Sequence, residues 1–386
     1  MGGGEANEVS LLSSPRFGRD YISFPYRGMM FVLILGTRPE VIKFAPLVRI
    51  LKMRGIGYRV IHTGQHYSYE MDRIFFKELN LPSPDYNLGA GSGTHAQQTS
   101  RILESLEPVL VSLDPDAVVV LGDTNTTLAG ALVAVKLHIP VVHVEAGLRS
   151  FDRRMPEEIN RVLTDHASDL MFAPTNVSRS NLLREGIDAK RVYVTGNTIV
   201  DAVKQNIGLA RRRRPKVDLP GGGYGVLTLH REENVDSPEI LKSILKGAGM
   251  VAERKNLKIV YPIHPRTRKV MQKEGINLPE GVLSIDPLGY FDFLNLEMNA
   301  SLILTDSGGV QEEACTLHVP CVTLRTTTER PETVEVGANI VAGVVPSRIL
   351  KCASMMLSRK RTWRNPLGNG NAAERIVSHL LKRYGE

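Results

Sequence analysis

The sequence predicts an α/β protein of two domains, each a doubly wound parallel sheet, facing each other across a central cleft. Three observations carry this. Short apolar runs such as Ala117-Val-Val-Val-Leu121 and Val141-Val-His-Val144 are continuous rather than alternating, as strands buried on both faces are. Segments of helical length separate them, as the crossover of a parallel pair requires. The strand-then-helix series also runs twice over 386 residues, more than a single hydrophobic core organises.

Composition narrows the class. Hydrophobic residues make up 42% and charged residues 23%, ordinary for a globular protein. The three cysteines, Cys315, Cys321 and Cys352, neither pair nor show metal-ligand spacing, which points to a reducing compartment, the cytoplasm. No apolar run is long enough to span a bilayer. A net charge of +7 suits an anionic partner, but basic and aromatic residues do not interleave as in a nucleic-acid surface. A phosphorylated small molecule fits the balance equally well.

Taken in order, residues 1–28 lack periodicity and read as a disordered or dispensable extension, with Met29 and Met30 as candidate starts. The first strand, 31–35, breaks at Gly36-Thr-Arg-Pro-Glu-Val-Ile-Lys43, where Pro39 suits the first turn of a helix running to about Met53. Arg38 and Lys43 then stand at a strand-to-helix junction whose free N–H groups favour an anion. The next strand is 58–62. Gly89-Ala-Gly-Ser-Gly93 lacks both the third glycine and the preceding strand of a dinucleotide fingerprint, and is set aside. Strands 117–121 and 141–144 flank a crossover helix over 128–137. Each runs into an acid, Asp123 and Glu145. Neighbouring parallel strands open their carboxyl ends on one crevice, so these two acids should share a space, with Glu157 and Glu158 close behind Pro156. A strand at 192–196 and a helix over 199–209 follow.

Arg211 to Arg214, Pro215 and the glycines to Gly223 mark a linker region, its arginines a solvated helix end. Five further strands are expected at 225–229, 258–263, 282–285, 302–305 and 321–324. The domains are drawn over 29–197 and 198–369, with a closing helix within 370–386 packing back on the first. In the second domain, strand 302–305 meets Asp306-Ser-Gly-Gly309. Gly308 and Gly309 let backbone N–H groups approach a diphosphate, Ser307 offers a hydroxyl, and Glu313 is placed to accept from a ribose. His230 ends another strand beside that diphosphate, whereas His230 and His264 lack a third partner for a metal. Two such domains over a nucleotide-sized cleft resemble the GT-B architecture of sugar-nucleotide glycosyltransferases, two Rossmann-like domains face to face.

The motifs go further than the fold. Gly36-Thr-Arg-Pro-Glu40 with Lys43, Gly122-Asp-Thr-Asn-Thr-Thr127, His143-Val-Glu-Ala-Gly-Leu-Arg149, Pro156-Glu-Glu-Ile-Asn-Arg161, Thr195-Gly-Asn-Thr198, Thr305-Asp-Ser-Gly-Gly-Val-Gln-Glu-Glu-Ala314 and Thr328-Glu-Arg-Pro-Glu332 together resemble the non-hydrolysing UDP-N-acetylglucosamine 2-epimerases, in order from about Met30 to the end. The resemblance implies Asp123, Glu145, Glu157 and His230 as catalytic residues. It implies Arg38, Lys43, Ser307, Gly308, Gly309, Glu313 and Arg330 as holding UDP, with Phe293 near the uracil. It further implies a cytoplasmic homodimer that acts on UDP-N-acetylglucosamine with no metal and no cofactor.

Two stretches depart from the bacterial pattern. Ser150-Phe-Asp-Arg-Arg-Met155 is short and basic, and resembles both archaeal members and epimerases of UDP-diacetamido-glucuronate, whose carboxylate Arg153 or Arg154 could meet. Tyr67-Ser-Tyr69 after Gln65-His66 differs from relatives activated by a second substrate molecule, which leaves such activation open. A GT-B glycosyltransferase is the rival from another class, though it has no evident use for three acids around C2. A binding protein without catalysis is a third reading.

Overall fold

The computed structural model describes residues 28–65, 69–213 and 221–385, without the side chains of 69–73. The 1–28 extension except Gly28, residues 66–68 with the Tyr69 side chain, and 214–220 of the linker region lie outside the described residues.

Strands β1 (Met30–Leu35), β2 (Gly57–His62), β3 (Tyr86–Asn87), β4 (Ala117–Leu121), β5 (Val141–Val144), β6 (Leu170–Ala173) and β7 (Val192–Val194) form one sheet in the order β3-β2-β1-β4-β5-β6-β7. Helices α1 (Arg38–Met53), α2 (Tyr69–Glu78), α3 (His95–Leu113), α4 (Asn125–Lys136), α5 (Pro156–Ala167) and α6 (Asn176–Arg184) connect them, and α7 (Thr198–Arg212) leads out. We call this the front lobe. Period-two alternation shows which face each side chain serves. Phe31, Leu33 and Leu35 of β1 join Phe44 and Leu47 of α1 on one side, while Val32 and Ile34 join Leu106, Val118 and Val120 on the other.

The rear lobe repeats the design. β8 (Tyr224–Thr228), β9 (Lys258–Pro262), β10 (Val282–Ile285), β11 (Leu302–Thr305), β12 (Cys321–Thr323) and β13 (Asn339–Val341) pair in parallel in the order β10-β9-β8-β11-β12-β13. Around them lie α8 (Glu232–Val235), α9 (Pro238–Lys255), α10 (Pro265–Lys273), α11 (Tyr290–Met298), α12 (Gly308–Leu317), α13 (Pro331–Glu335) and α14 (Pro346–Leu357). The last helix, α15 (Ala372–Tyr384), returns to the front lobe, where Ile376, Val377, Leu380 and Leu381 pack into the cluster of β1, α1 and α7. Tyr290, Phe291 and Leu294 of α11 enter that cluster too, so the lobes share apolar packing as well as a cleft.

Two expectations are corrected. The crossover helix α4 begins at Asn125, not 128, because the Thr124 hydroxyl accepts from the Thr127 N–H at 3.2 Å and caps it. The β1–α1 turn has fewer free N–H groups than expected, those just ahead of the helix being taken. Glu40 takes those of Gly36 and Thr37 with one carboxylate oxygen, at 2.7 and 2.8 Å.

Candidate active site

Each sheet reverses its strand order once, between β1 and β4 in front and between β8 and β11 behind. A doubly wound sheet opens a crevice at that point, beyond the carboxyl ends of the strands. The turns after these strands and after β5 carry most of the residues singled out by sequence.

On the front side, Asp123 follows β4 and Glu145 follows β5. Asp123 accepts two bonds from the Arg161 guanidinium, at 2.5 and 3.0 Å, and its side chain keeps 27% exposure. Burial pushes this carboxyl up, but Arg161, Arg231 and Arg330 outweigh it and hold Asp123 below its ordinary range. Glu145 is buried with backbone φ of +69°, a conformation few residues with a side chain adopt. Its Oε1 meets Lys43 Nζ at 2.6 Å and Asn197 Nδ2 at 2.7 Å, while Oε2 lies against Gly122, the neighbour of Asp123. Glu157, in the first turn of α5, reaches across the cleft to Arg231 Nη1 at 2.7 Å.

On the rear side, His230 ends half-exposed after β8, and its Nδ1 bonds Asp306 at 2.9 Å across the β8/β11 switch point. That bond occupies Nδ1, so Nε2 is the ring nitrogen left to meet a ligand. Asp306 also accepts from the N–H groups of His230 and Arg231 and from Asn234. Burial alone would raise its carboxyl, but His230, Asn234 and Arg231 hold it low. Ser307 caps α12, accepting from Val310 N–H at 3.4 Å, so the helix starts at Gly308 and its first N–H groups point into the crevice. A side chain at Gly308 would stand 2.9 Å from the Arg330 guanidinium, whereas Gly309 meets nothing nearer than 3.9 Å.

Arg38 places its guanidinium 4.4 Å from the centre of the Phe75 ring. Phe293, on α11, is half-buried against the apolar cluster of Val226, Val260 and Ile303. Glu313 is buried, and desolvation, reinforced by Glu312, overrides the pull of Arg38 and Lys43 and brings its carboxyl to about 7. Lys43 is not an open cation. Its ammonium sits between Glu145 and, at 2.9 Å, Glu312 of the rear lobe, and these two outweigh its burial to raise its basicity.

Several groups here escape sequence reasoning. Glu312 binds Lys43 and the Arg330 Nε, at 2.7 Å. Glu329 takes Arg325 at 2.7 Å and Arg330 at 3.3 Å. Arg161, by contrast, lies in the Pro156-to-Arg161 motif that the sequence does show, and it joins Asp123 to Glu158 at 2.6 Å. Asp306, Glu312 and Glu329 each adjoin a residue that was singled out. Lys43 with Glu312 and His230 with Asp306 are distant in sequence, so no spacing marks those acids as counter-ions, whereas Glu329 has Arg325 four residues before it and Arg330 next to it.

Known proteins resemble this chain over most of its length. A family model described as UDP-N-acetylglucosamine 2-epimerase matches residues 49–381. The UDP-N-acetylglucosamine 2-epimerase of Methanocaldococcus jannaschii is 55% identical over 367 residues, covering 93% of this chain and 100% of that protein. A crystal structure of the Methanocaldococcus jannaschii UDP-GlcNAc 2-epimerase in complex with UDP-GlcNAc and UDP aligns with a TM-score of 0.87 at 55% identity, over 92% of this chain and 100% of that one. The UDP-2,3-diacetamido-2,3-dideoxy-D-glucuronate 2-epimerase of Pseudomonas aeruginosa is 42% identical over 359 residues, 92% of this chain and 100% of that protein.

Proposed function

Because the chain belongs to the UDP-N-acetylglucosamine 2-epimerase family, we propose that it interconverts UDP-N-acetylglucosamine and UDP-N-acetylmannosamine, an isomerase reaction at C2 of the sugar. The observation that supports this most is the opposition of the two switch points, acids on the front one and a glycine-rich helix start with His230 on the rear one.

The chemistry explains the need for both. The C2 hydrogen has no adjacent carbonyl, so removing it alone would leave an unstabilised carbanion. If the C1–O bond to UDP breaks as the proton leaves, the electron pair forms a C1–C2 double bond and UDP departs with the bonding electrons of oxygen. Protonating C2 of this glucal on the opposite face, as a diphosphate oxygen re-attacks C1, gives the manno isomer with atoms in balance. The path calls for acid and base groups about C2 and for donors at the diphosphate, and for no cofactor.

We assign Asp123, Glu145 and Glu157 to the proton transfers, with Asp123, held as a carboxylate by Arg161, suited to abstraction. His230 presents Nε2 to the departing diphosphate, and Ser307, Gly308, Gly309 and Arg330 surround it. Lys43 orients Glu145 and Arg38 lies towards the nucleotide. Glu313 takes the ribose hydroxyls and Phe293 the uracil. The proposed division into 29–197 with 370–386, and 198–369, puts the acids on one lobe and the nucleotide on the other. We further propose a homodimer in the cytoplasm, with its three cysteines buried and free. Among the described residues no helix is long and apolar enough to cross a membrane.

Incubation with UDP-N-acetylglucosamine in deuterium oxide tests the assignment. The expected product is UDP-N-acetylmannosamine labelled at C2. An unchanged sugar would indicate a binding protein, or a transferase awaiting an acceptor. The diacetamido-glucuronate sugar nucleotide is a second reading, favoured by Arg153 and Arg154, which stand exposed in the 150–155 loop. There Asp152 occupies Arg154 at 2.7 and 2.8 Å and leaves Arg153 as the candidate for a uronate. Assaying both substrates side by side separates the two.

A further inference from the structure

Asp165, on α5, is fully buried and has no part in the steps above. Its two oxygens hold strand β5 and the turn that follows it. Oδ1 accepts from Nδ1 of His143 at 2.7 Å, while Oδ2 accepts from the Gly147 N–H at 3.1 Å and meets Arg149 Nη2 at 2.7 Å. The second nitrogen of His143, Nε2, lies 2.9 Å from the carbonyl oxygen of Gly122. A carboxylate and a carbonyl only accept, so both contacts are hydrogen bonds together only when the ring carries both protons. Burial would raise the Asp165 carboxyl, but His143 and Arg149 hold it low, in keeping with an ion pair.

The clamp joins the turn after β4, which carries Asp123 next to Gly122, to the turn after β5, which carries Glu145 two residues before Gly147. In the turn after β5, Glu145 holds a φ of +69°, costly for a residue with a side chain, whereas Gly122 and Gly147 take +82° and +79° without penalty. A turn held in such a conformation persists only where its surroundings over-determine it. A histidine buried for packing alone has no reason to link two strand ends.

We propose that His143 and Asp165 are positioning residues that fix the separation of the Asp123 and Glu145 carboxylates by tying together the turns that bear them. This rests on the assignment of those two acids to the epimerisation.

The test compares wild type, H143Q, D165N, the double variant and D123N for kcat, KM, UDP affinity and urea unfolding. H143Q and D165N should each lose on the order of tenfold to a hundredfold in kcat, as small misplacement of reacting groups does, with little change in KM. The double variant should be no slower than the worse single one, since both cut the same tie. UDP affinity, set by the rear lobe, should hold. Full kcat in a folded, UDP-binding H143Q or D165N overturns the inference, and if D123N is inactive in the same series the assignment of the acids survives it. A wild type without epimerase activity removes the premise instead. Should both variants fail to fold, a crystal structure of wild type with UDP decides. A His143 ring bonded to both Gly122 and Asp165 is expected, and a ring turned from Gly122 overturns the tie.

Discussion

Asp123 and Glu313 are carboxylates of one cleft pushed in opposite directions, Asp123 down by its arginines and Glu313 up to about 7 by burial. Two predictions belong to this scale. Asp123→Asn and Glu145→Gln should each slow turnover by about a hundredfold to ten-thousandfold while UDP still binds, measured by steady-state kinetics and a UDP titration. For Glu313, the unfolded chain releases its proton near 4.5 and the folded chain near 7. Between those values the folded state binds more protons, so its contribution to stability, full below 4.5, is lost as pH rises to about 7. Urea unfolding of the ligand-free protein should show that decline, and Glu313→Gln should flatten it. The acids themselves were legible in the sequence because each follows a recognisable buried strand or a proline. The sequence did not reveal that Lys43 is shared by Glu145 and Glu312, because only the meeting of two lobes brings those three together.

Among the elements, the continuous apolar strands were legible, and β4, β5, β10 and β11 fall where those runs lie. The short edge strand β13 was not, since Asn339-Ile-Val341 offers no run long enough to stand out, and it is its pairing with β12 that makes it a strand. Tertiary placement likewise decides which turns tolerate change. At Gly147, φ is +79° and an added Cβ would stand 2.2 Å from the carbonyl oxygen of Ser178. Gly147→Ala should therefore cost more than about 2 kcal/mol, read from the midpoint of denaturant unfolding. At the other end of the chain, Ile376, Val377 and Leu380 are fully buried. Each such side chain contributes about 1.5–3 kcal/mol. Cutting the chain before α15 should thus remove most of the front lobe's stability, seen as rapid limited proteolysis of that lobe while the rear one resists.

At the scale of the molecule, two copies of one winding, 3-2-1-4-5-6 with a seventh strand added in front, bring their switch points together. That much follows from strand and helix order. Their mutual approach does not, because it is set by pairs such as Glu157 with Arg231 and Lys43 with Glu312, and by α11 entering the front core. The proposed homodimer predicts that light scattering after gel filtration gives twice the mass of the 42.6 kDa chain, and a monomer would contradict it.

The return of α15 to β1 and α1 has a bearing on biosynthesis. A ribosome emits the front lobe first, yet the helix that seals its apolar flank follows the whole rear lobe in the sequence. Throughout elongation of the rear lobe, Phe31, Phe44 and Leu47 have no lasting cover from α15, so the nascent protein presents a sticky surface that chaperones can bind until α15 emerges. Vectorial, lobe-by-lobe maturation is thereby closed to this chain, since its front lobe is completed only after the rear one has been made.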